Sequence, residues 1–130
     1  MAKDVCYGCG LGVETVMPTL MVYPTTSQGD IAFCEVCFER RNFGDLTIED
    51  IETVTWFFAT SYVEDEPARA VTLLEPLLER WHSPDLLSPL GRAYVRVGRL
   101  EEGKALLREA LEMNPRHPYV AHDKEILGGG

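Results

Sequence analysis

Apolar and polar positions alternate in two different rhythms along the chain. Before residue 47 the apolar residues come in short runs, around Thr19 to Tyr23 and Ile31 to Phe33, on either side of "PTTSQGD". That arrangement predicts a β-hairpin with a turn-rich loop. "AFCEVCFERRNF" (32–43) then reads as a short amphipathic helix, ended by Gly44. From residue 47 onward the spacing is helical. Thr47 followed by Asp50 predicts a capping-box start, and "IEDIETVTWFFATSYV" (48–63) carries apolar side chains at helical intervals. "EDEP" breaks the pattern and "PARAVTLLEPLLERW" (67–81) resumes it, with Pro67 suited to a first turn and Pro76 expected to bend the helix. After "HSPD" come two more helical stretches, 85–98 and 99–115.

With 130 residues and 45% apolar content, the chain has the composition of a folded domain or two very small ones. The formal charge of −9 argues against broad attraction to phosphate backbones or anionic lipid, so neither nucleic acid nor a membrane is an expected partner. No apolar leader or membrane-length run is present in the sequence, which reads as cytoplasmic.

In a reducing compartment, four cysteines within 37 residues point to metal ligation or redox chemistry before disulfides. Cys6 and Cys9 lie in "CYGCGLG", where Gly10 and Gly12 supply turn conformations; Cys34 and Cys37 open the short helix. Two C-x-x-C pairs, 24 residues apart, can bring four thiolates around one Zn²⁺. Knuckle, hairpin and C-x-x-C helix together resemble the treble-clef zinc finger, with the zinc ribbon a close relative. A thioredoxin-like redox centre would need one such pair in a βαβ setting, and no parallel-sheet pattern follows. Four cysteine ligands would leave no open coordination position, so the metal is expected to hold the fold and not to catalyse. Arg40 and Arg41 would either offset the negative charge of that centre or simply be solvated.

The segment "LLSPLGRAYVRVGRLEEGKALLREALEMNP" resembles a tetratricopeptide (TPR) repeat. Leu87, Leu90, Gly91, Ala93 and Tyr94 match the family's first helix, Gly98 its turn, and Leu107, Ala110, Leu111 and Pro115 its second helix and terminator. Gly103 stands where the family usually has alanine. A weaker copy covers 51–83, matching at Ala70, Leu74, Leu77 and Leu78 but with Trp56, Phe57 and Phe58 in its first helix. The resemblance implies a mostly α fold. Its parts would be a treble-clef-like zinc finger (1–46), two TPR-like hairpins (51–83 degenerate, 84–117 clear) with a capping helix from near Pro118, all within 47–127, and a tail at 128–130. The finger is expected to pack on the first repeat through Phe43, Phe57 and Phe58.

TPR proteins are binding scaffolds, and the resemblance implies a groove lined by Asp85, Ser88, Arg92, Val95 and Arg96 in one repeat and Thr55, Trp56, Ala59 and Tyr62 in the other. Arg92 and Arg96 share a helix face and suit a carboxylate, either acidic or C-terminal, of another protein or peptide; alternatively they balance Glu101 and Glu102. Residues 45–80 hold nine acids against two arginines, a face that either selects partners or is simply solvated. His82, His117 and His122 read as surface residues, and no catalytic motif occurs. The expected function is a non-enzymatic adaptor. The alternatives are a redox-responsive zinc-thiolate protein and, further off, a nucleic-acid-binding finger.

Overall fold

The computed structural model describes residues 5–12, 20–116 and 120–128. It is mostly helical, with a small hairpin and a cysteine cluster towards the N-terminus, and it divides into two compact units, Met1–Phe58 and Ala59–Gly130. Among the described residues no helix is long and apolar enough to cross a membrane. The expected helix start near Pro118, His117, the side chain of His122 and Gly129 to Gly130 lie outside the described residues.

In the first unit, β1 (Met21–Val22) pairs antiparallel with β4 (Phe33–Cys34), Val22 opposite Phe33 and both buried. The stretch read as a loop adds a second ladder, β2 (Thr25–Thr26) with β3 (Gly29–Asp30). Its polar side chains hold it. Thr25 Oγ1 donates to Asp30 Oδ1 at 2.6 Å, Thr26 Oγ1 donates to the Gly29 carbonyl at 2.9 Å, and Gly29 takes a φ of +91° that the tight turn requires.

Helix α1 (Glu35–Glu39) stops before Gly44, contrary to expectation. The Asn42 N–H donates to the Cys37 carbonyl at 2.9 Å and the Arg41 N–H to the Phe38 carbonyl at 3.1 Å. This is a Schellman motif with Arg41 at φ +56°, a position where glycine is usual. Helix α2 (Ile48–Tyr62) starts at its capping box: the Asp50 N–H donates to Thr47 Oγ1, and the Thr47 N–H to Asp50 Oδ2, both at 3.1 Å. An aromatic chain runs through the unit, Tyr7 on Phe33, Phe33 on Phe43, Phe43 on Phe38, and Phe38 stacked on Phe58 with centroids 4.5 Å apart. Phe57 meets Trp56 edge-on.

The second unit takes the end of α2 and continues with α3 (Pro67–Leu74), a 3₁₀ segment (Glu75–Glu79), α4 (Pro84–Arg96), α5 (Leu100–Met113) and α6 (Val120–Gly128). Pro76 does more than bend its helix: the α-helical pattern ends at Leu74 and tightens to 3₁₀ around the residue that lacks an N–H. Helix α4, by contrast, passes through Pro89, which is buried. A second Schellman motif closes α4, the Arg99 N–H donating to the Tyr94 carbonyl at 2.8 Å, with Gly98 at φ +93°. The chain then turns back and α5 packs on α4 with backbones touching. A Cβ on Gly91 would lie 2.9 Å from the Gly103 carbonyl oxygen, and one on Gly103 only 2.6 Å from that of Gly91. Leu86, Leu87, Leu90, Ala93, Leu107 and Ala110 form the core around this crossing. Helix α6 is anchored there by Asp123, fully buried, which accepts from Ser88 Oγ at 2.8 Å.

Candidate functional site

The hairpin and the segment before it set the cysteine geometry. The Cys6 N–H donates to the Leu11 carbonyl and the Gly10 N–H to that of Cys6, both at 2.8 Å, closing the knuckle; the Tyr7 N–H donates to the Ala32 carbonyl at 2.7 Å, docking it on the hairpin. Cys34 ends β4 and caps α1, its Sγ accepting from the Cys37 N–H at 3.4 Å. Cys6, Cys9, Cys34 and Cys37 thus converge, with all four sulfurs within 4.8 Å of one another. Cys6, Cys34 and Cys37 are buried and Cys9 is exposed. The cluster could hold a metal ion.

Its electrostatics favour a cation. Burial pushes the Cys37 thiol well above its ordinary range, and the Cys34 sulfur beside it acts in the same direction. Burial also raises Cys34, partly offset by hydrogen bonds from Cys37. For Cys6 burial again acts upward but is outweighed by backbone hydrogen bonds from Cys9, Cys34 and Gly8, leaving that thiol lowered. The Cys34 N–H, for instance, reaches Cys6 Sγ at 3.3 Å. Thiols packed this closely resist joint ionisation unless a bound cation balances them.

Two supporting residues, Gly8 and Asn42, escape the sequence reading, whereas Gly10 is the turn glycine it expects. Gly8 is needed for space, since a Cβ there would lie 2.8 Å from Cys37 Cβ, Cys37 Sγ and the Asn42 carbonyl oxygen. Gly10 is needed for backbone freedom, at φ +73° with open space beside it. Asn42 Nδ2 donates to the Gly8 carbonyl at 2.8 Å and to Cys37 Sγ at 3.7 Å, tying the knuckle to α1. The "YG" inside the first C-x-x-C was a visible signal for Gly8. Nothing local marked Asn42, which is aimed by the Schellman turn.

The residues expected to line a groove separate into three groups. Arg92, Val95 and Arg96 converge on one cavity of about 580 Å³ in the second unit, completed by Glu64, Glu125 and Ile126. Ser88 and Tyr62 are buried, as is Ala59, and so offer no surface to a partner; Ser88 is occupied by Asp123, and Tyr62 lies under the Arg69 guanidinium at 4.2 Å. Trp56 and Thr55 belong to the first unit, Thr55 Oγ1 donating to the Ile51 carbonyl, and Asp85 is exposed on α4. Glu64 faces the arginine pair, a contact the sequence did not announce: Glu64 Oε1 accepts from Arg96 Nη2, and Oε2 lies 3.7 Å from Arg92 Nη1. Glu102 pairs instead with Arg99, which stacks on Tyr94 at 4.1 Å and reaches Glu75 at 3.4 Å. His82 is exposed, as expected, and has an acidic partner in Glu109 that no sequence spacing announced. No protein-family model, curated protein or solved structure matches this chain.

Proposed function

We propose that the chain is a non-enzymatic adaptor. One structural Zn²⁺ joins Cys6, Cys9, Cys34 and Cys37 in a treble-clef-like finger, and TPR-like helical hairpins bind another protein or peptide through an acidic or C-terminal carboxylate. The donor set supports zinc. Four thiolates at about 2.3 Å from a tetrahedral ion stand about 3.8 Å apart, so sulfurs already within 4.8 Å need only small side-chain adjustments. All four positions are then protein ligands and none is left for substrate.

The single observation that carries the binding reading is one carboxylate, that of Glu64, set across Arg92 and Arg96 on the lining of a cavity. It illustrates the chemistry the pair accepts, two oxygens facing two guanidinium groups. The test is capture of partners from native lysate by the full chain against Arg92→Glu and Arg96→Glu, alongside metal analysis. One zinc per chain and loss of the same partners from both variants are expected. Unchanged capture by both charge reversals sinks the groove assignment.

The exposure of Cys9 favours one second reading, a redox-responsive zinc-thiolate centre. There, two thiolates would form one disulfide by giving two electrons to a peroxide, which takes two protons and leaves as water while the metal is released. Zinc retained under mild peroxide, with all thiols still titratable after denaturation, counts against it.

A further inference from the structure

We propose that Glu64 is an internal occupant of the arginine site, which a partner's carboxylate must displace; this rests on the carboxylate-binding reading above. The three charged side chains are held very differently. Arg92 is 14% exposed and belongs to the cavity wall, whereas Glu64 is 57% exposed and sits in the turn between α2 and α3. Arg96, at 48%, lies at the rim. The cations are therefore positioned by helix α4, one turn apart, while the acid that engages them can swing into solvent with little lost packing. Val95 and Ile126 supply apolar wall beside the pair, suited to a ligand that carries an aliphatic group next to its carboxylate. Glu125, also on the lining, disfavours a ligand with several negative charges.

Self-occupancy has a direct consequence for affinity. While Glu64 competes, only the fraction of molecules in which it has swung away from the pair can bind, and apparent affinity falls by that fraction. The half of the contact made with Arg96 is an exposed ion pair, Arg92 lying deeper, so removing Glu64 is worth a factor of about five, the upper end for such pairs.

The experiment titrates the full, metal-loaded chain with N-acetylleucine, using N-acetylleucinamide as the probe lacking a carboxylate, and follows arginine side-chain and backbone amide signals by NMR. Wild type, Glu64→Gln and the double variant Arg92→Gln/Arg96→Gln are compared. Glu64→Gln is expected to bind N-acetylleucine about fivefold tighter than wild type, with the double variant losing binding. Equal affinity for wild type and Glu64→Gln overturns the proposal while leaving the carboxylate reading intact. If neither protein prefers the acid over the amide, the carboxylate reading fails and takes this proposal with it. Should Glu64→Gln fold poorly, Glu64→Asp, whose carboxylate reaches one methylene less far towards the guanidinium groups, carries the same comparison.

Discussion

At Gly8 a single hydrogen atom stands where any side chain would collide with Cys37. Gly8→Ala places a methyl group 2.8 Å from the Cys37 sulfur, and such overpacking costs about 1–3 kcal/mol. It is expected to weaken metal binding measured by chelator competition, with the rest of the first unit still folded. Asn42→Ala acts from the other side by removing the amide that reaches both Cys37 Sγ and the Gly8 carbonyl; affinity should fall about tenfold or more, as for other groups that orient a metal's ligands. Asp50 is a different kind of key residue. It completes the capping box and also accepts from the N–H and hydroxyl of Ser27, joining α2 to the hairpin turn. Burial works against its charge, but the hydrogen bonds from Ser27 and Thr47 outweigh this and hold its carboxyl below the usual carboxylate value. A depressed folded-state pKa means a stabilising contribution fully present above the unfolded value near 3.9 and lost as pH falls through the folded one. Asp50→Asn should therefore destabilise the first unit by about 1–3 kcal/mol at pH 7. The difference from wild type in urea titrations should shrink below about pH 4, and a difference that stays constant with pH would remove Asp50 as the cause.

Between elements, the contact of α4 with α5 sets propensity against packing. Alanine favours a helix over glycine by up to about 1 kcal/mol, so on helical preference alone Gly91→Ala or Gly103→Ala should stabilise. The structure reverses the sign. Each new Cβ meets the opposing backbone, at 2.9 Å and 2.6 Å, and a backbone cannot step aside as a flexible side chain can. Overpacking of this kind costs about 1–3 kcal/mol, more than the propensity gain returns, so both substitutions should lower the thermal midpoint of the second unit. Stabilisation by either would mean the helices stand further apart. The two Schellman turns form a related contrast. One uses Gly98, as the sequence suggests, and the other uses Arg41, a choice that a scan for glycine passes over because it depends on Asn42 and its partners.

On the scale of the whole molecule, α2 supplies residues to both units, its first eleven to one and its last four to the other. Loading the four-cysteine cluster with zinc and then chelating it should cost amide protection throughout the first unit, including Val54 and Phe58 in the buried part of α2, because metal binding and folding of a small thiolate-rich segment are one equilibrium. Hydrogen exchange read by mass spectrometry checks this, and full protection after stoichiometric chelation would show that the aromatic chain from Tyr7 to Phe58 holds the unit without help.

Much of this was legible in the residues themselves. Helical spacing from residue 47, the capping box at Thr47 and Asp50, and the two C-x-x-C pairs are local patterns, and backbone hydrogen bonding and side-chain periodicity act locally, so the elements and the four sulfur donors could be read directly. What required the tertiary structure were the polar pairings between residues far apart in the chain: Asn42 with Gly8, Ser27 with Asp50, Ser88 with Asp123, and Glu64 with Arg92 and Arg96. No periodicity announces such partners. They are chosen by which elements pack together, and that choice buried Ser88 and Tyr62 while leaving the arginine pair on the lining of a cavity.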